Sequence, residues 1–89
     1  MFDILRTSQF KRDTKRAKKR GQDTDRLKTV IVLLAQGRTV PAAYRDHPLK
    51  GVYKDCRECH VEPDWLLIYR IEANVLQLIR TGSHSDLFT

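Results

Sequence analysis

Read for the spacing of apolar and polar positions, the chain divides into a short opening strand, two helices and three later strands. Phe2 to Arg6 is brief and apolar-rich, the pattern of a first strand. Ser8 is placed to cap a helix from Gln9 to about Arg20, in which Phe10, Thr14 and Ala17 form a thin inward stripe and Gly21 ends the run. Asp23 or Thr24 caps a second helix. Its Leu27, Val30, Ile31 and Leu34 recur at i, i+3, i+4 and i+7, the spacing of a helix face buried against a sheet. Gly37 closes that helix and Pro41 bars its continuation.

Tyr44 to Gly51 reads as a loop, because His47-Pro48 and Lys50-Gly51 both punctuate structure. Val52 to Val61 reads as a polar-rich strand and Trp65 to Ile71 as a continuous apolar one. In a last strand, Val75 to Thr81, the apolar Val75, Leu76, Leu78 and Ile79 are set against Gln77 and Arg80, and Glu72-Ala73-Asn74 joins the two as a hairpin. The order β-α-α-β-β-β predicts an α+β fold, with two N-terminal helices packed on a largely antiparallel twisted sheet. Eighty-nine residues suffice for one modest core, so 1–89 reads as a single domain without repeat or linker.

No segment approaches the roughly 20 apolar residues of a membrane-spanning helix. The start, Met1-Phe2-Asp3-Ile4-Leu5-Arg6, lacks the apolar stretch of a secretory signal. A cytoplasmic location is therefore expected, with both cysteines reduced. Charge changes the picture more. Residues 1 to 28 hold ten of the 17 Lys+Arg and four of the 11 Asp+Glu, so the whole net charge of +6 sits there. Lys11, Arg12, Lys15, Arg16, Lys18 and Lys19 then read either as a solvated helix face or as a surface for a polyanion such as RNA.

Cys56-Arg57-Glu58-Cys59-His60 matches the C-x-x-C-H pattern of haem attachment and contains zinc-ligand types. Neither use is expected. Haem attachment requires export, two cysteines and one histidine leave zinc a ligand short, and alternation on a strand points Cys56 and Cys59 to opposite faces. The cysteines are read as packing residues, with no metal and no cofactor. The same alternation puts Cys56, Glu58 and His60 on one face. His47 precedes that strand, Asp64 follows the bend at Pro63, and His84 lies beyond the last strand near Phe88.

Those residue types have a shared chemistry. Metal-free RNA cleavage needs a base for the ribose 2′-OH, an acid for the departing 5′ oxygen, and a cation beside the developing phosphate charge. Imidazole, titrating at about 6.5, suits both proton transfers, and a guanidinium such as that of Arg80 suits the charge.

Three stretches carry a family resemblance: Tyr44-Arg45-Asp46-His47-Pro48-Leu49-Lys50-Gly51, His60-Val61-Glu62-Pro63-Asp64-Trp65-Leu66-Leu67-Ile68-Tyr69, and Arg80-Thr81-Gly82-Ser83-His84-Ser85-Asp86-Leu87-Phe88. In order and spacing they resemble the YafQ branch of the RelE/ParE toxin superfamily. The resemblance implies a ribosome-dependent messenger-RNA interferase that cuts in the decoding site, contacts ribosomal RNA and is silenced by a cognate antitoxin. The toxin–antitoxin complex would bind operator DNA through the antitoxin. It also implies active-site roles for His47, His60, His84, Asp64, Arg80 and Phe88. His60 and His84 would share general acid and base duties, while His47 and Asp64 position substrate or tune an imidazole. Arg80 would stabilise phosphate charge and Phe88 would stack on an unpaired base. The position two before His60 is typically aspartate in the family; Glu58 here keeps the charge and lengthens its reach. The alternative on the same fold is a ParE-like inhibitor of DNA gyrase, which needs no histidines.

Overall fold

A computed structural model describes residues 1–88. The elements are β1 (Asp3–Arg6), α1 (Ser8–Lys19), α2 (Thr24–Ala35), β2 (His47–Pro48), β3 (Arg57–Glu62), β4 (Trp65–Glu72), β5 (Val75–Gly82) and α3 (His84–Phe88). Single turns of 3-10 helix lie at Ala42–Tyr44 and Gly51–Tyr53. The strands form one sheet in the order β1-β5-β4-β3-β2, in which β1 runs parallel to β5 and every other pair is antiparallel.

Both long helices begin at side-chain caps. Thr7, not Ser8, caps α1: its hydroxyl accepts from the Phe10 N–H at 2.9 Å and donates to the Ile79 carbonyl at 2.7 Å, so the cap also ties the helix to β5. Asp23 caps α2 by accepting from the Asp25 N–H. The expected strand from Val52 to Val61 starts only at Arg57. Gly51 and Asp55 take left-handed backbone angles, φ 68° and 71°, and the chain between them turns instead of extending. The expected loop contributes the short strand β2, which pairs with β3. After β5 an unanticipated helix, α3, is closed by a reciprocal cap: Asp86 accepts from the Ser83 N–H, and the Ser83 hydroxyl accepts from the Asp86 N–H.

The unbroken apolar run of β4 follows from its central place, because both of its faces are covered. Trp65, Leu67 and Tyr69 join Phe10, Leu27, Val30 and Leu34 between the sheet and the two long helices. Leu66 and Ile68 join Leu87 on the opposite face, beside the partly buried Leu49, Tyr53, Cys56 and Ile79. Among the described residues no long helix covers that second face. The 47–56 segment and α3 cover it instead, and they carry His47 and His84 over the sheet with them.

At one edge the sheet lacks a strand. β1 ends at Arg6, opposite Leu78, and the backbone of β5 beyond that point meets α1. Asp13 supplies the missing acceptor. Its carboxylate, 1% exposed as a residue, accepts from the Thr81 N–H at 3.2 Å, from Arg80 Nε and Nη2 at 3.0 and 2.9 Å, and from Gln9 at 3.0 Å. Burial pushes this carboxyl group up, but the bonds from Arg80, Gln9 and Thr81 outweigh it and hold Asp13 below the usual 3.8. Removing the carboxylate in Asp13→Ala strands a buried N–H and a partly exposed guanidinium. The unfolding free energy in urea should fall by about 2 to 3 kcal/mol. A loss below about 1 kcal/mol would mean that the edge is satisfied in another way.

Candidate active site

The sheet register aligns the residues singled out from the sequence. His47 pairs with Glu58, Glu58 with Ile68 and Ile68 with Arg80, one row across four strands. His60, Leu66 and Gly82 form the next row, and His84 follows two residues after Gly82. Arg80 owes its face to a bulge. The β4–β5 register shifts between Ile68 and Tyr69, so Ile79 is extra; without that insertion Arg80 would face the long helices.

The three imidazoles form a strip. Ring centroids of His47 and His60 are 6.0 Å apart, those of His60 and His84 are 5.8 Å apart, and Phe88 follows at 6.4 Å from His84. Two carboxylates organise it. Glu58, 4% exposed, turns Oε2 toward His47 Nε2 at 3.1 Å and His60 Nε2 at 3.4 Å. Each of these rings turns Nδ1 to a carbonyl: His47 donates to Arg45 at 2.6 Å and His60 to Pro63 at 3.3 Å. Carbonyls only accept, so both Nδ1 atoms carry protons. Each contact at Glu58 is then a hydrogen bond only when a proton also lies between Nε2 and Oε2. Among the described residues Glu58 Oε1 has no hydrogen-bond partner.

His84 is set differently. Its Nδ1 donates to Asp64 Oδ1 at 2.6 Å, and its backbone N–H donates to the same oxygen at 2.9 Å. Those two bonds hold the Asp64 carboxyl below the usual carboxylate range. With Nδ1 committed, the proton-accepting edge of the ring is Nε2. The β3 side of the strip is pinned by Asp46, which accepts from Arg57 Nε at 2.9 Å and from the Tyr69 hydroxyl.

Arg80 reaches the edge of this face. Its hydrogen bonds to Asp13 hold the guanidinium protonated even more firmly than usual. The Asp13 contacts use Nε and Nη2, so Nη1 has no carboxylate partner among the described residues. Phe88 touches Tyr53 edge to face, with centroids 5.7 Å apart. Tyr53 thus extends the aromatic end of the strip.

On α1, Lys11, Arg12, Lys15, Lys18 and Lys19 are exposed. Arg16 differs from the free phosphate ligand expected of it. Its guanidinium lies 3.2 Å from Asp13 and 3.5 Å from Asp86, and donates to the Thr81 carbonyl. Arg20 completes the clamp on Asp86 with bonds of 2.7 and 3.2 Å. Gly82 lies beneath it, where an added Cβ would come within 2.8 Å of Arg16 Nη2 and 2.9 Å of Asp86 Cβ.

His47, Glu58 and His60 also place one ligand atom each within 4.8 Å of one another. Two imidazoles and a carboxylate suit a divalent transition metal as well as they suit proton transfer. Glu58 and His60 belong to the C-x-x-C-H run, but among the described residues its two cysteines do not join this group. Cys56 and Cys59 sit in separate clusters on opposite faces, and burial pushes the Cys59 thiol up to about 12.

Two helices on one face of a mostly antiparallel sheet, with paired imidazoles and carboxylates on the other, define a small RelE-like toxin fold. The family described as the bacterial toxin of a type II toxin–antitoxin system, YafQ, matches residues 2–89. The mRNA interferase toxin YafQ of Escherichia coli strain K12 is 45% identical over 87 residues, 97% of this chain and 95% of the relative. The toxin in a crystal structure of the E. coli DinJ-YafQ complex has a TM-score of 0.93 at 43% identity, with 100% of both chains covered. A metal-bound toxin from Helicobacter pylori has a TM-score of 0.93 at 46% identity, covering 99% of this chain and 100% of that one. The chain belongs to the YafQ family of type II toxin–antitoxin toxins.

Asp86 anchors α3, and with it His84 and Phe88, so its titration should be visible. The Arg20 and Ser83 bonds hold its folded-state pKa far below the usual 3.8. Its contribution to stability is therefore complete above 3.8 and is lost as pH falls through the lower folded value. Unfolding midpoints measured across acidic pH should fall less steeply in Asp86→Asn than in the parent. Parallel curves would show that the clamp contributes nothing.

Proposed function

We propose that this chain is an endoribonuclease that cleaves messenger RNA in the ribosomal decoding site and is held inactive by a cognate antitoxin in the cytoplasm. The observation that carries this reading is the strip of three imidazoles, two sharing Glu58 and one held by Asp64. The 2′ oxygen attacks phosphorus and the bond to the 5′ oxygen breaks. His60 and His84 act as the base and acid, one taking the 2′-OH proton and the other protonating the departing oxygen. Glu58 and Asp64 orient the rings, and His47 orders the Glu58 side of the strip. Arg80 Nη1 meets the charge that builds on the phosphate oxygens. These transfers need only side chains, so we assign no ion to the step.

The exposed lysines of α1 and Arg12 supply phosphate contacts to ribosomal RNA, which position the enzyme without reading sequence. Arg16 is left out of that set because Asp13 and Asp86 already occupy it. The antitoxin assignment follows the family, in which the E. coli relative is found with DinJ. Operator binding would belong to the antitoxin.

Inducing the protein and mapping 5′ ends on cellular messages tests the reading. In-frame cuts should appear with the parent chain and fall by about 100-fold or more in His84→Ala or His60→Ala, with unfolding midpoints retained. A fully toxic double mutant would remove the nuclease. Intact messages alongside trapped gyrase would instead favour a gyrase poison.

The absence of a catalytic ion has its own test, which matters because a metal-bound H. pylori toxin shares the fold. Stripping the toxin with EDTA, and removing the chelator before ribosomes are added, should leave the cleavage rate unchanged. Activity lost on stripping and restored by a transition-metal ion would overturn an ion-free step.

A further inference from the structure

At the end away from Phe88 the imidazole strip adjoins a cleft of about 380 Å3, whose walls include Arg26, Tyr44, Arg45, His60, Glu62 and Pro63. It lies between α2, the 3-10 turn at Ala42–Tyr44 and the end of β3. His60 belongs to both the strip and the cleft. So do the supports of two rings: the Arg45 carbonyl accepts from His47 Nδ1 and the Pro63 carbonyl from His60 Nδ1. The backbone of Arg45 is fixed from both sides. Its N–H donates to the Ala42 carbonyl at 3.0 Å, its φ of 49° is left-handed, and Tyr44 before it packs against the core. Ion pairs among the described residues engage Arg16, Arg20, Arg57, Arg70 and Arg80, and leave the exposed Arg26 and Arg45 without a carboxylate at ion-pair distance.

We propose that this cleft seats one phosphodiester of the message, close to the phosphate that is cut, between the guanidiniums of Arg26 and Arg45. The inference deepens the nuclease reading and rests on it. Two planar forks of donors match the oxygens of a phosphate. Glu62, which also lines the cleft, repels a second anion, so the space suits a single linkage of a strand and not a run of phosphates. Because His60 lines the cleft, a strand held there passes directly onto the imidazoles; a ribosomal-RNA backbone in the same place would keep the message from His60. The residues whose carbonyls hold the His47 and His60 rings are walls of the cleft as well, so an occupied cleft steadies those carbonyls and the rings with them. Arg26 and Arg45 bind and place the strand, and the proton transfers stay with the histidines.

The test is single-turnover cleavage of a short ribosome-loaded message that carries one neutral methylphosphonate linkage. The linkage is placed in turn at each flanking position within two nucleotides of the cut, and compared with an ordinary phosphate on the same 2′-deoxy sugar. With the parent chain, neutralising one of these linkages should slow cleavage by on the order of tenfold, the scale of one charged contact. The double variant Arg26→Gln, Arg45→Gln should slow cleavage of the ordinary message to a similar degree, and the neutral linkage at that position should then have no further effect. Both arginines are exposed, so the unfolding midpoint should stay in place.

Parent cleavage indifferent to every neutral flanking linkage would overturn the subsite. So would losses that multiply when the arginine changes and the neutral linkage are combined, because each would then act on its own. A double variant that sediments less with ribosomes lacking message, yet keeps the sensitivity to the linkage, would assign the cleft to ribosomal RNA. Full cleavage with weaker neutralisation by the antitoxin would assign it to the antitoxin, and either result removes the subsite. Failure of the nuclease reading is distinguishable: the parent would then make no histidine-dependent cut in the unmodified message.

Discussion

Asp13 takes a negative charge into a position with almost no contact with water, which is costly unless its lone pairs are used. Arg80, Gln9 and the Thr81 N–H use them, and Arg16 adds a second cation. The arrangement stands in for a strand. Where β1 stops, one carboxylate closes the backbone edge of β5 and fixes α1 against it. It also anchors the guanidinium that reaches the imidazole face. Thr81, held on this edge, accepts from Trp65 Nε1 and donates to the Leu66 carbonyl, so the same contact sets the interior of the sheet.

The imidazole face follows from how the second side of β4 is covered. Leu66 and Ile68 must be buried, and no long helix is left to bury them. A turn-rich segment and a five-residue helix do so. Each brings a histidine, so burying apolar surface and assembling the imidazoles are one event. The clamp of Arg16 and Arg20 on Asp86 then holds α3 down by charge where its small apolar area would hold it weakly. The two carboxylates of the strip act on different rings, which leaves the His84 side more open than the Glu58 side. That asymmetry suits the separate acid and base tasks proposed for the rings.

Much of this was legible in the sequence. The helices, the continuous apolar strand, the β4–β5 hairpin and the largely antiparallel sheet follow from spacing, and alternation along β3 correctly put Glu58 and His60 on one face. Asp13 could have been found too. It lies three residues after Phe10 and four before Ala17, on the buried stripe, where the reading of α1 took Thr14 instead. An acidic residue on an apolar stripe is a signal for a buried partner. Arg16 carried no such mark, since nothing local separates a guanidinium bound to Asp86, 70 residues on, from one bound to water.

Local pattern determined the elements and the residue types able to move protons, because helical and strand periodicity are properties of neighbours along the chain. Tertiary structure alone decided that Ile79 bulges and turns Arg80 toward the histidines, and that the chain turns at Gly51 and stands Tyr53 against Phe88. It also decided that Asp13 replaces a strand at the sheet edge. Each of these depends on contacts between residues distant in sequence, where burial and charge pairing outweigh the local preferences that spacing records.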